Sequence, residues 1–285
     1  MKKLLFISLS LLAFLGTQAQ KLDNGLLWKI SGNGLSKPSY IYGTVHITCD
    51  ATLDKNILAA FDATNQLYLE LDMDDPNMQT EMMAGVMMKN GTTMKSLATP
   101  EDYALVNKFL QDNVGMSADL IGSFMPSMVS ALLYPKMLDC PVQSYEQALM
   151  EVAKKQNEEI YGLETIAEQL NAFGAIPYKE QMDELVKSAK DNLASDKKEM
   201  TELLAIYNKK DLNVLLDFMN KSDNKLMSQH SDVMLVNRNK NWIPKIEAVA
   251  KQNPTFFGVG AAHLAGDDGV IKLLRKKGYK VEAVK

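Results

Sequence analysis

Three histidines occur in the 285 residues, and two of them share a context. His46 ends the run Tyr40-Ile41-Tyr42-Gly43-Thr44-Val45-His46, and His263 ends Phe256-Phe257-Gly258-Val259-Gly260-Ala261-Ala262-His263. Each is an apolar, strand-like run, then a glycine (Gly43, Gly260), two small or β-branched residues and an imidazole. Glycine at a strand end permits a sharp, often positive-φ turn or a close backbone approach. A histidine three residues on is then thrown to the sheet edge, where open α/β sheets bind their ligands. The segment Leu67-Tyr68-Leu69-Glu70-Leu71-Asp72 adds two acids. Read as a strand, its period of two puts Glu70 and Asp72 on one face. Such acids are costly to bury unless they meet a cation or a proton donor. Two imidazoles and a carboxylate (His46, His263 and Glu70) can hold a divalent metal ion and leave positions open for water and substrate. The residues do not choose among Mn, Co and Zn. The bland alternative is two capped or core histidines beside a solvated strand end.

The elements that must position these groups are legible in outline. Leu26–Ile30 and Ser39–Tyr42 read as strands around a Gly32-Asn33-Gly34 turn. A helix follows over Leu53–Thr64 and a strand over Gln66–Met73. The pattern from Asp75 to Asp139 is helical, with Thr99 as N-cap before Pro100. Ser144–Asn157 reads as a helix, Glu159–Leu163 as a short strand and Tyr178–Gln252 as long helices. Strand Thr255–Val259, helix Asp267–Lys277 and strand Tyr279–Val284 close the chain. This predicts an α/β (α+β) fold: a central mixed β-sheet core built from the N- and C-terminal parts, with a large α-helical insertion or cap over roughly 75–252. No low-complexity linker divides residues 20–285, which read as one domain.

Lys2 and Lys3, an apolar run Leu4–Leu15 and small residues up to Ala19 make residues 1–19 a signal peptide, cleaved after Ala19. The competing reading is an uncleaved N-terminal anchor. No later stretch predicts a membrane span, so the expected location is periplasmic or secreted. In that setting Cys49 and Cys140, the only cysteines, are expected to pair. Alternatives are two buried thiols, or Cys49 joining His46 on a metal through a His-x-x-Cys spacing. A formal charge of −4 argues against nucleic acid as a partner and leaves a peptide or small molecule as substrate. Met78, Met82, Met83, Met87 and Met88, among 18 methionines, fall at helical spacing. They read first as a core-facing stripe and second as a pliable substrate groove.

Taken in order, Tyr42-Gly43-Thr44-Val45-His46, Glu70-Leu71-Asp72, Gly162-Leu163-Glu164-Thr165 with Glu168-Gln169, Arg238-Asn239-Lys240-Asn241-Trp242 and Gly258 to Leu264 form five stations. With them the mature chain resembles the TraB/GumN family, which includes Tiki-type metalloproteases and shares a fold with the erythromycin-esterase and ChaN-like superfamily. The resemblance implies an α/β core with helical insertions, His46 and His263 as the motif histidines, and Glu70 as the acid after the second core strand. It adds Glu164 as a carboxylate, Arg238 as a cation and Asn239 as an amide. In such a site Glu164 would act as general base or hold a ligand histidine, and Arg238 and Asn239 would stabilise and orient an oxyanion. Taken alone, Glu164 reads as a helix cap and Arg238 as a solvated surface charge. The chain departs from the family where many relatives carry an acidic Gly-x-Asp segment: it reads Pro141-Val142-Gln143-Ser144-Tyr145-Glu146, and Glu146 is a loose substitute.

Three functions follow as expectations: a metal-dependent, peptidase-like hydrolase, a metal-independent esterase-like hydrolase, and a non-catalytic peptide- or ligand-binding protein of the same fold.

Overall fold

A computed structural model describes residues 21–285, and the expected signal peptide lies outside the described residues. Six strands among them form one mixed sheet: β1 (Leu27–Ser31), β2 (Ser39–Thr44), β3 (Gln66–Leu69), β4 (Glu159–Gly162), β5 (Phe256–Gly260) and β6 (Lys280–Ala283), in the order β4-β3-β5-β2-β1-β6. Strands β4, β3, β5 and β2 run parallel, and β1 and β6 complete one side antiparallel. The α/β architecture is therefore present. The sheet is assembled from chain ends, since β5 slots between β3 and β2 while β6 pairs with β1.

Both faces of the parallel strands are covered. Phe256, Phe257 and Val259 of β5 are fully buried, as are Leu67 and Leu69 of β3 and Ile41 of β2, the near-continuous apolar pattern of a doubly covered sheet. Helices Tyr145–Gln156 and Asn237–Gln252 supply Leu149, Ala153, Trp242, Ile243 and Ile246 to this core. A second apolar cluster gathers around Met94, Leu110, Val129, Met182 and Leu185, from helices between β3 and residue 193. The helical middle is thus not a uniform cap. Part of it flanks the sheet, part has a core of its own, and β4 leaves it to join the sheet.

Local chemistry sets several boundaries. Thr99 caps helix Pro100–Val114 through the Asp102 amide, as its sequence predicts. Thr165 and Glu168 form a reciprocal capping box on helix Ile166–Ala175, so Glu164 is not needed as that helix's cap. Strand β3 stops at Leu69, short of the expected Met73. The alternation that put Asp72 beside Glu70 therefore does not persist. The methionine stripe also divides: helix Met78–Gly85 ends before Met87 and Met88, Met88 is buried, and Met83 and Met87 are about half exposed.

Cys49 and Cys140 form a disulfide with Cα atoms 5.7 Å apart. Cys49 is therefore not a metal ligand. No helix among the described residues is long and apolar enough to cross a membrane.

Candidate functional site

The C-terminal ends of the four parallel strands lie along one edge, with Thr44 level with Gly260 and Leu69 level with Gly162. His46, Glu70, Glu164 and His263 follow those ends by one to three residues. Parallel sheets place ligands at this edge because the loops leaving the strands meet there. Here the edge floors a cavity of about 770 Å³ that Thr44, His46, Glu70, Arg238, Gly260 and His263 help to line.

Neither motif glycine adopts positive φ; each is there for space. A Cβ on Gly43 would sit 2.9 Å from Leu264 Cδ1 and 3.0 Å from Ala261 Cα, so the strand carrying one histidine could not close on the loop carrying the other. A Cβ on Gly260 would lie 3.2 Å from Glu70 Oε1, and the Gly260 amide donates to that oxygen at 2.8 Å.

His263 is almost wholly buried in the turn Ala261–Leu264. Its Nδ1 donates to Asn239 Oδ1 at 2.7 Å, and its Nε2 accepts from Arg238 Nη1 at 3.1 Å. That pairing describes the neutral tautomer with the proton on Nδ1. Trp242 packs against the ring with centroids 4.4 Å apart. Burial first, then the Arg238 and His46 charges, outweigh Glu70 and push the His263 pKa down to about 3.

His46 is in the opposite condition. Its side chain is 65% exposed, opening onto the cavity. Its Nδ1 lies 3.0 Å from Glu146 Oε1, which also accepts from Thr44 Oγ1 at 2.7 Å, while Glu146 Oε2 accepts from Ser144. The surrounding protein disfavours the cation, but the Glu146 hydrogen bond and the Glu146 and Glu70 charges prevail and raise the His46 pKa to about 9. Burial works against the Glu146 carboxylate too, yet the His46, Thr44 and Ser144 contacts hold its pKa below the ordinary value. The loose substitute for the family's acid is thus in the site, fixing the first motif histidine.

Arg238 ties the remaining acids together. Nε donates to Glu164, Nη1 to Met234 O and His263 Nε2, and Nη2 to Glu70 Oε2 at 2.6 Å and Glu164 Oε1 at 2.5 Å. All five N–H groups of the guanidinium are engaged. It therefore has no donor spare for an oxyanion, contrary to the expected role, and it organises the floor instead. The turn before it, Asp232–Val236, is π-helical and supplies the Met234 carbonyl; such turns recur at functional sites. Glu164 is spent as well, since Trp242 Nε1 and Gln169 Nε2 complete its shell. Its hydrogen bonds are to Arg238, Trp242 and Gln169, and none reaches a motif histidine. Asn239 braces His263 and donates to the His263 and Asp268 carbonyls, so it orients the imidazole and not an oxyanion. Burial favours protonation of Glu70, but His263, Arg238, His46 and the Gly260 amide hold its pKa at about 2.

Asp72 stands outside this group. Burial and the nearby Asp74 and Asp75 raise its pKa to about 6, and it does not line the cavity.

A divalent ion fits these residues in kind and in outer support. Each motif histidine has Nδ1 held by an oxygen, which fixes Nε2 as the ligating atom in the manner of metal-bound histidines. His263 Nε2 and Glu70 Oε1 are 3.7 Å apart, about the separation of two atoms sharing an ion at bonds of about 2.1 Å. The expected three-way convergence is only partial. Among the described residues no three ligand-type side chains gather closely enough to hold an ion as they stand, and Arg238 lies against one of the lone pairs.

Thr44, Gln169 and Trp242 lie within the sequence stations without an expected role, yet Thr44 donates to Glu146, and Gln169 and Trp242 donate to Glu164. The signal for each is its place in a station: Thr44 two residues before His46, Gln169 five after Glu164, and Trp242 one helical turn after Arg238.

Known proteins resemble this chain in sequence. Metalloprotease TIKI2 of Danio rerio is 22% identical over 93% of this chain and 62% of its own length. Metalloprotease TIKI1 of Homo sapiens is 21% identical over 91% of this chain and 62% of its own length. A Metalloprotease TIKI homolog of Nematostella vectensis is 21% identical over 93% and 68%. The chain thus spans about three fifths of the vertebrate relatives' length. A model of the TraB/PrgY/gumN family matches residues 26–283, nearly all of the described protein, and the chain belongs to that family.

Proposed function

We infer that the protein is an exported, peptidase-like hydrolase whose site takes a divalent ion. The observation that carries this reading is the pair of motif imidazoles, each with Nδ1 fixed by an outer oxygen, beside an ionised Glu70 on the floor of one cavity. The names of the relatives support both peptide-bond cleavage and a metal. His46 Nε2, His263 Nε2 and Glu70 Oε1 would hold the ion. Bound there, it would supply Lewis acidity and bring water toward ionisation near neutral pH. The protein's own part is positional. Glu146 and Asn239 set the ring planes, the Gly260 amide and Arg238 aim the Glu70 carboxylate, and Trp242 and the apolar walls exclude bulk water. Binding requires His46 to surrender its proton and Arg238 Nη1 to release His263 Nε2. Export is supported by the tripartite leader at 1–19 and by the Cys49–Cys140 bridge, which belongs to an oxidising compartment.

A second reading is favoured by Arg238, a built-in cation already lodged among His263, Glu70 and Glu164. It supports hydrolysis without a metal. Dialysis of the purified mature protein against chelator, with elemental analysis and a quenched peptide library, separates the two. Loss of cleavage on dialysis with recovery on adding Mn, Co or Zn supports the ion-dependent site. Chelator-resistant cleavage that disappears in His46→Ala supports the second. Failure to cut any peptide or ester under either condition overturns the hydrolase reading and leaves a binding protein.

A further inference from the structure

The cavity above the site is built from one kind of side chain to an unusual degree. Eight of the 18 methionines line it, and they come from separate parts of the helical region: Met82 from helix Met78–Gly85, Met128 from helix Pro126–Ala131, Met219 from helix Leu212–Asn220, and Met227 and Met234 from the turns that follow. Thioether chains are unbranched and polarisable, so a wall of them moulds to large apolar groups of differing shape. The volume, about 770 Å³, falls within the range of sites that enclose several side chains.

Charge narrows the occupant further. The lining includes the acids Glu70, Glu146, Glu184 and Asp196, against His46, Arg238 and a His263 that stays neutral near pH 7. Every N–H of Arg238 is already taken, and His46 is held by Glu146. Above the floor that would hold the ion, a carboxylate on the wall would meet acids and no uncommitted guanidinium or ammonium, so acidic side chains seated there are disfavoured. Polar atoms are nonetheless present along the wall. Tyr134 and Ser231, which carry hydroxyls, are among the residues that line it. They suit the amide groups of a peptide backbone and have nothing to offer a hydrocarbon tail.

Building on the peptidase reading above, we propose that this methionine-walled cavity selects an extended, non-acidic peptide segment carrying large flexible apolar side chains, with methionine, leucine and phenylalanine preferred around the scissile bond. The cavity is continuous with the His46–Glu70–His263 floor, so the same residues that seat the apolar groups set which bond reaches the site.

The test uses a positional-scanning library of internally quenched peptides with the mature protein. Two wall variants, Met227→Lys and Met128→Lys, accompany it, their folding checked by circular dichroism. Peptides with Met, Leu or Phe should be cut at least about 10-fold faster than the same peptides with Asp or Glu. At least one lysine variant should shift that preference toward acids. Equal rates for apolar and acidic peptides overturn the inference and leave the hydrolase reading intact. If no peptide is cut, the hydrolase reading fails and anisotropy of fluorescein-labelled apolar and acidic peptides decides. Tighter binding of the apolar peptide, weakened by Met227→Lys, supports the cavity's preference; equal or absent binding overturns it.

Discussion

The two Gly-x-x-His loops have the same spacing and leave neighbouring parallel strands, yet they hold their imidazoles in opposite states. The loop after β2 leaves His46 65% exposed to the cavity, paired with a carboxylate and protonated up to about pH 9. The loop after β5 buries His263 against Trp242, gives it an amide partner and keeps it neutral down to about pH 3. What separates them is the partner on Nδ1 and the depth of the ring, neither of which the motif encodes. A shared spacing specifies where an imidazole emerges from a sheet, and the surroundings specify what it can do there.

The sharpest way to break this contrast is on the buried side. Arg238→Met removes the cation that Glu70 and Glu164 share and leaves two buried carboxylates unpaired. It should cost about 3–5 kcal/mol of stability, read from urea unfolding, and should abolish any hydrolysis. A loss below about 1 kcal/mol would show that the buried floor does not depend on its cation. The open loop is held by a different device, the Cys49–Cys140 bridge, which joins a residue three past His46 to one six before Glu146. Replacing both cysteines by serine should cost about 2–5 kcal/mol, because the bridge closes a loop of sequence separation 91. It should also lower activity more than it disturbs the His263 side; unchanged turnover would show that His46 and Glu146 stay registered without it.

The pH dependence of the ion-free protein compares the loops directly. His46, raised from 6.5 to about 9, contributes stability that is fully present below pH 6.5 and is lost as pH rises through 9. His263, lowered from 6.5 to about 3, stays neutral in the fold while the unfolded chain takes up a proton. Stability therefore falls as pH drops from 6.5 toward 3, joined below 4.5 by Glu70 as it approaches its folded value of about 2. Thermal midpoints in chelator should thus decline on both sides of about pH 6.5, and His46→Gln should flatten the alkaline limb alone. An alkaline limb that survives His46→Gln would assign it to another group. The smallest change is Glu146→Gln, which leaves the shape of the site and removes one charge. The His46 titration, followed by proton NMR, should move down from about 9 toward 6.5; a titration left in place would mean Glu146 is not what charges the ring.

These contrasts explain what could be read from the chain beforehand. That His46, Glu70 and His263 emerge just past strand ends is legible in the sequence, because each position depends on a short run: an apolar strand, its end, and a polar side chain just beyond. The mixed sheet followed from the same runs, and the bridge from there being two cysteines. The state of each group was not legible, because it is set by partners far away in sequence. Glu146 reaches His46 across 100 residues, Arg238 meets Glu70 across 168, and only the fold shows that Arg238 has no donor left. Asp72 misled because alternation in sequence continues past the point where β3 stops pairing.

The position of β5 has a consequence for how the molecule comes into being. Strand β5, made long after its neighbours, lies in the middle of the sheet, so a chain synthesised only as far as β4 has β2 and β3 but nothing to join them. Domains generally begin to fold from the N-terminal side as they emerge, and pairing across more than 200 residues is slow. The second apolar cluster, made wholly of residues 71–193, can gather early. The central sheet slot fills last, and with it arrive His263, the Gly260 amide and the final neighbour of Glu70. Nascent chains and chains truncated before β5 therefore carry His46 and Glu70 without the counterpart that would make them a centre, and the site matures only once residues 256–263 have been made.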